Sequence, residues 1–320
     1  MANILGLVLP FFGLILLGYL TARLSRQPAE AMGWLNTFIV YLALPALFFK
    51  LVSKTPVDQL ARGDFILASL AATYTVFILI FATGLWVRRN SLADSTIQGL
   101  SAAYGNIGYM GPGLALLAFG EQAAVPLALI FCFENVVHFT VAPALMAVAG
   151  GEKRSGGVLA LEVFKKIATH PFILSTLAGV IAAFVGFAPP VPLQRLIDYL
   201  AQAAAPCALF AMGVMLALRP VKRIPGEIGY IVPAKLLLHP VLAYGVLSLV
   251  GNFEPVWVYT AILLASLPTA TNVFVIAQQY GVWQERASAT ILITTVLSVA
   301  TVTLLLYLVT SGTLPPDLFP

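Results

Sequence analysis

Ten apolar stretches follow one another along the chain, near residues 3–22, 33–52, 64–87, 95–119, 122–149, 169–187, 191–218, 227–250, 255–280 and 287–311. An α-helix needs about 20 such residues to cross a hydrocarbon core ~30 Å thick, so each stretch has the reach of a transmembrane span. The composition agrees, with 60% hydrophobic and only 9% charged residues and a mean hydropathy of +0.96. A soluble domain carries roughly a quarter charged residues. The sequence therefore predicts an all-α membrane protein of ten transmembrane helices, with lipid as its main solvent.

The formal net charge of +4 does not point to nucleic acid, because the basic residues sit in short connections between spans. Twelve of the 17 Lys and Arg residues fall after spans 1, 3, 5, 7 and 9, against four on the other side, and Lys235 is intramembrane. By the positive-inside rule both termini face outward and the longest connection, 151–168, is a cytoplasmic loop. That loop holds Glu152, Lys153, Arg154, Glu162, Lys165 and Lys166. Met1-Ala2-Asn3 lacks a basic residue and no small-residue cleavage site precedes Arg23, so the first stretch reads as a mature helix. Cys132 and Cys207 both lie inside apolar stretches, where thiols pack as small hydrophobes. No nucleotide-binding glycine loop, metal-spaced Cys/His cluster or nucleophile elbow occurs, so neither enzyme activity nor a cofactor or metal is expected.

Two halves repeat weakly at one gapless offset. Adding 161 carries Pro10-Phe11 onto Pro171-Phe172, Gly18 onto Gly179, Pro45 onto Pro206, Phe49 onto Phe210, Arg62 onto Arg223, and Phe119-Gly120 onto Tyr280-Gly281. With five spans in each half, residues 1–150 and 169–320 form two inverted five-helix repeats.

The polar content concentrates at matching depths in the two halves. Span 4 contains Gly105-Asn106-Ile107-Gly108-Tyr109-Met110-Gly111-Pro112-Gly113, and span 9 contains Ser266-Leu267-Pro268-Thr269-Ala270-Thr271-Asn272. Glycine and proline in such density break a helix. Irregular backbone at this depth is tolerated only where protein or water satisfies its amides. The half-helix N-termini beyond each break carry partial positive charge and N–H groups suited to a carboxylate. Close packing or a simple kink is the competing explanation for either break alone; the matched pair favours a binding site.

Charged groups inside spans are costly and usually find partners. Glu134 and His138 lie four apart, on one face of span 5, and Lys235 sits well inside span 8 ahead of His239-Pro240. Glu134 and Lys235 are expected to pair within the bundle; a fixed structural ion pair, a snorkelling lysine and a moving proton all fit that arrangement. The stripe of Thr290, Thr294, Thr295, Ser298, Thr301 and Thr303 in span 10 can bond its own backbone.

At both breaks the chain resembles the auxin efflux carrier family, whose members include bacterial malonate and malate permeases. The resembling pieces are Gly105 to Pro112, Leu267-Pro268-Thr269-Ala270-Thr271-Asn272-Val273-Phe274 with Tyr280-Gly281, Leu42 to Phe48, and Lys235 to Pro240. The resemblance spans all ten stretches. It implies the fold shared with bile acid/sodium symporters, with broken crossover helices 4 and 9. Helices 1, 2, 6 and 7 would form a scaffold that dimerises, and helices 3–5 and 8–10 a transport domain. Asn106 and Pro112 would fall on the first crossover, Pro268 and Asn272 on the second. Two departures matter. The long hydrophilic central loop of many plant auxin carriers is missing, and no embedded carboxylate cluster lies near the span 9 break, which speaks against sodium coupling.

The expected function is a secondary transporter of a small organic anion, malonate or a similar carboxylate, working by an elevator-like shift in a bacterial inner membrane. Asn106, Gly108, Tyr109, Pro112, Pro268, Thr269, Thr271 and Asn272 would bind substrate, and Glu134, His138 and Lys235 would serve coupling. Two alternatives differ in class: a proton- or sodium-coupled carrier of another substrate such as a bile-acid-like anion, and a membrane receptor or channel.

Overall fold

The protein is described by a computed structural model that covers residues 2–56, 59, 62–150, 157–158, 161, 164–165, 168–218 and 224–319. Most of the 151–168 connection, with Glu152, Lys153, Arg154, Glu162 and Lys166, lies outside the described residues, as does Arg223.

The regular elements among the described residues are all helices. The helices are α1 (Ala2–Ser25), α2 (Glu30–Ser53), α3 (Gly63–Val87), α4 (Leu92–Ala103), α5 (Ile107–Phe119), α6 (Ala124–Ala149), α7 (Pro171–Val185), α8 (Val191–Leu218), α9 (Ile228–Val250), α10 (Pro255–Ser266), α11 (Thr271–Gln279) and α12 (Gln284–Thr310). The one extended pairing among the described residues is an isolated antiparallel bridge between Gly105 and Thr269. Seven helices (α1, α2, α3, α6, α8, α9 and α12) contain a segment long and apolar enough to cross a membrane, and α5, α7 and α10 are shorter and equally apolar.

Predicted span 4 thus comprises α4 and α5, and predicted span 9 comprises α10 and α11. The first interruption is narrower than the glycine run predicts. Only Tyr104 to Asn106 leave the helix, while Gly108, Tyr109, Gly111, Pro112 and Gly113 are helical within α5. Membrane helices absorb an interior proline when their surroundings re-satisfy the freed carbonyl. Gly113 has a packing reason instead, since a Cβ there would stand 2.5 Å from the Phe11 ring and 3.0 Å from Ala205 Cβ. The second interruption follows local rules: Leu267 precedes Pro268 and is extended, at φ −64° and ψ 151°. Ser91 caps α4 by accepting a hydrogen bond from the Asp94 amide at 3.0 Å.

The chain groups into two compact units. The first contains residues 1–63, 108–132 and 168–220. Here α1 and α8 touch backbone to backbone: a Cβ on Gly18 would lie 2.1 Å from the Phe210 carbonyl oxygen, and one on Gly213 would lie 1.9 Å from that of Ile15. Glycine is what permits so close an approach in the absence of a hydrophobic drive between lipid-bathed helices. Phe48, Phe131 and Phe172 form a ring cluster between α2, α6 and α7, with centroids 4.7 to 5.9 Å apart. Lys50 and Asp198 pair at 2.7 Å across α2 and α8.

The second unit contains residues 64–107, 133–167 and 221–320. Its core gathers Val76, Ile97, Leu100, Tyr104, Ile231 and Val273 around the ends of α4 and α11. Within α9 the backbone widens into a π-turn over Ala234–Leu238, directly after Pro233. Such bulges recur at functional sites, and this one carries Lys235 into the interior with no exposed surface.

Candidate functional site

Inside the second unit the two interrupted segments close on each other. Asn106 N–H donates to the Pro268 carbonyl at 2.8 Å, and Ala270 N–H donates to the Tyr104 carbonyl at 2.9 Å. Thr269 adds two bonds, donating its hydroxyl to the Ser101 carbonyl at 2.6 Å and its amide to Thr294 Oγ1 at 3.1 Å. Three of the break amides are therefore paired within the protein, where an unsatisfied one would cost several kcal/mol in hydrocarbon, on the order of 2–7 by transfer estimates. Thr294 belongs to the hydroxyl stripe of α12; Thr290, Thr295 and Ser298 bond the backbone of their own helix, as does Thr303. Thr294 bonds its own helix too and also serves the second break.

Side chains extend the junction. Asn272 donates to the Tyr104 hydroxyl at 2.8 Å, and that hydroxyl donates in turn to Asn135 Oδ1. The Tyr104 ring stacks on His138, with centroids 4.1 Å apart, and His138 Nδ1 meets the Tyr74 hydroxyl at 2.9 Å. Asn106, Thr269 and Thr271 are buried and Asn272 is half-buried.

The charged residues stand beside this junction. Lys235 Nζ donates to the Ala265 carbonyl, in the last turn of α10, at 2.6 Å, and lies 2.9 Å from His239 Nδ1. Thr73 Oγ1 lies 3.0 Å from His239 Nε2 and donates to Glu134 Oε1 at 2.6 Å. Glu134 and Lys235 are 4% and 0% exposed, so both sit in low dielectric. They meet through Thr73 and His239, not in direct contact. Glu134 Oε2 and His138 Nε2 are buried with no hydrogen-bond partner.

Of the residues predicted from sequence, Asn106, Pro268, Thr269, Thr271, Asn272, Glu134, His138 and Lys235 all belong to this second unit. Gly108, Tyr109 and Pro112 belong to the first, where a Cβ on Gly108 would lie 3.2 Å from the Phe131 ring. Sequence reasoning missed Tyr104, Thr73 and the bridging role of His239. The four-residue spacing from Lys235 to His239 would have flagged the histidine. Thr73 carries no such signal, being one hydroxyl in an apolar span. Among the described residues no group of three or more His, Cys, Asp or Glu is placed to hold a metal ion.

Seven long apolar helices among the described residues, with two interrupted segments that meet at a buried polar centre, define a polytopic α-helical integral membrane protein. Residues 3–147 and 152–307 match the family described as membrane transport protein, and the chain belongs to that family of auxin efflux carrier-like transporters. It is 77% identical over 320 residues, the full length of both chains, to a protein of Rhizobium meliloti (strain 1021) named "Putative malonate transporter". It is 26% identical to an "Uncharacterized transporter" of Methanothermobacter thermautotrophicus, over 93% of this chain and 95% of the relative. It is 23% identical to "Uncharacterized transporter YfdV" of Escherichia coli (strain K12), over 95% and 96% respectively. The relatives are named as transporters, not enzymes, and the protein is a membrane transporter.

Proposed function

We propose that the protein is a secondary transporter of a small organic anion, malonate or a similar carboxylate, which it binds at the junction of the two interrupted helices. The observation that carries this reading is the placement of Lys235 at that junction, its Nζ bonded to the last turn of α10 at 2.6 Å. Lys235 lies against Gly105, which pairs with Thr269 two residues before α11, so the junction offers an anion both a buried ammonium and a helix dipole. The amides of Asn106, Thr269 and Ala270 are spent within the protein. Recognition therefore falls to the side chains of Asn106, Thr271 and Asn272 and to the first turn of α11. The name of the Rhizobium meliloti relative supports a dicarboxylate of malonate size.

In this reading the chain forms ten spans in two inverted five-helix repeats and alternates access by an elevator-like movement. Spans 1, 2, 6 and 7 serve as a scaffold that dimerises. The protein sits in the inner membrane with both termini outside. A second reading, coupling to protons, is favoured by one observation: Glu134 and Lys235, both buried, are joined side chain to side chain through Thr73 and His239.

The test is uptake by purified protein in proteoliposomes, across labelled mono- and dicarboxylates, with sodium and proton gradients imposed separately. Malonate-sized dicarboxylates are expected to accumulate, and Asn106→Ala and Asn272→Ala to abolish uptake while leaving monodisperse protein. Normal transport by both variants places the binding site elsewhere. Uptake that saturates and shows counterflow excludes a channel.

A further inference from the structure

We propose that Lys235, His239, Thr73 and Glu134 form a directed proton line, in which Thr73 and His239 carry a single proton between the lysine and the carboxylate. The inference rests on hydrogen-bond chemistry at four adjoining groups and deepens the coupled-transport reading. Thr73 has one hydroxyl hydrogen, and at 2.6 Å from Glu134 Oε1 it is given to the carboxylate. The lone pair of Thr73 Oγ1 must then accept from His239 Nε2, 3.0 Å away, which fixes that nitrogen as the N–H of a neutral imidazole. His239 Nδ1 is left as an acceptor, and Lys235 Nζ donates to it at 2.9 Å. All three donors point from Lys235 toward Glu134.

Such a chain can reverse without help from water. Lys235 passes a proton to His239 Nδ1, His239 releases its Nε2 proton to Thr73 Oγ1, and Thr73 gives its hydroxyl hydrogen to Glu134 Oε1. One N–H bond breaks at the lysine and one O–H bond forms at the glutamate; His239 exchanges tautomers and Thr73 ends as it began. The pair passes from ammonium and carboxylate to amine and carboxylic acid, with net charge zero throughout. Among four buried side chains, the line lets two isolated charges cancel or reappear by an internal step.

The surroundings leave this route open. The other titratable groups facing it are Tyr74, Tyr104 and His138; the two hydroxyls are engaged with His138 Nδ1, Asn135 and Asn272, and no hydrogen bond joins His138 Nε2 to the four groups of the line. Helix α10 contributes the Ala265 carbonyl and no charged residue. The charged residues of α12, Glu285 and Arg286, lie in its first turn.

Infrared titration of the purified full-length protein in lipid tests the line without substrate, so its outcome is independent of what the protein transports. The carboxylic C=O band of Glu134 is identified by its loss in Glu134→Gln. His239 does not touch Glu134; it touches Lys235, whose charge acts on Glu134 through space with or without Thr73, so the line is read from the part of the effect that needs the Thr73 hydroxyl. His239→Phe is expected to change the proton affinity of Glu134 tenfold or more in the wild-type background and by much less beside Thr73→Val. Thr73→Ser keeps the hydroxyl and is expected to titrate as wild type. His239→Leu replaces His239→Phe if the phenylalanine variant does not fold. Equal shifts in both backgrounds, or no shift in either, overturn the proposal.

Discussion

A side-chain carbon added to Gly105 would stand 3.4 Å from Lys235 Nζ and 3.1 Å from the Leu264 carbonyl oxygen. The tight contact is with the Leu264 carbonyl, one residue before the Ala265 carbonyl that holds the lysine, and the glycine is what lets the two crossing backbones lie so close. Gly105→Ala is expected to fold and to lose uptake at least tenfold, because the added carbon pushes on the last turn of α10 and with it on the seat of Lys235. Transport and thermal unfolding measured side by side check this; wild-type uptake would show that the spacing of the two backbones there does not matter to transport.

Tyr104 joins the two breaks to the polar cluster by a single hydroxyl, accepting from Asn272 and donating to Asn135. Removing one partner from buried polar groups costs about 1–3 kcal/mol. Tyr104→Phe is expected to lower thermal stability by an amount in that range and to weaken substrate binding together with Asn272→Ala. The two substitutions should be non-additive, since each removes the same hydrogen bond.

The contact of α1 with α8 has no room for a methyl group at Gly18 or Gly213. Gly18→Ala and Gly213→Ala are expected to prevent recovery of monodisperse protein, since the added carbon would meet backbone, which cannot rotate aside. Gly13→Ala on the same helix α1 meets nothing within 4 Å and should purify as wild type. Size-exclusion profiles of the three variants decide the matter.

Removing one member of a buried charge pair leaves the other uncompensated, at a cost of about 3–5 kcal/mol. Glu134→Gln and Lys235→Met are each expected to destabilise the protein by that order. The double variant should be closer to wild type than either single one. Thermal unfolding of the set checks the prediction, and single variants as stable as wild type would mean that neither group is charged.

The solvent, the helical class and the burial of the charged residues were legible in the sequence for physical reasons. Apolar runs of bilayer length admit few alternatives to a helix, and Pro268 forces Leu267 out of the helical region whatever surrounds it. The glycine run of span 4 misled in extent. Local composition predicted a break through Gly113, whereas Gly113 is helical and answers to Phe11 and Ala205, residues remote in sequence. Glycine has the same appearance in sequence whether it bends a chain or admits a neighbour.

The sequence by itself determined that Glu134 and Lys235 would be buried and costly, because a charge in an apolar span has nowhere else to go. Tertiary structure alone decided who answers them. Thr73 is separated from His239 by 166 positions, and a hydroxyl that could bond its own helix instead bridges a histidine and a carboxylate. Hydrogen bonds act over about 3 Å, so which of many threonines comes within reach depends on how the helices pack, and no periodicity within one span records that.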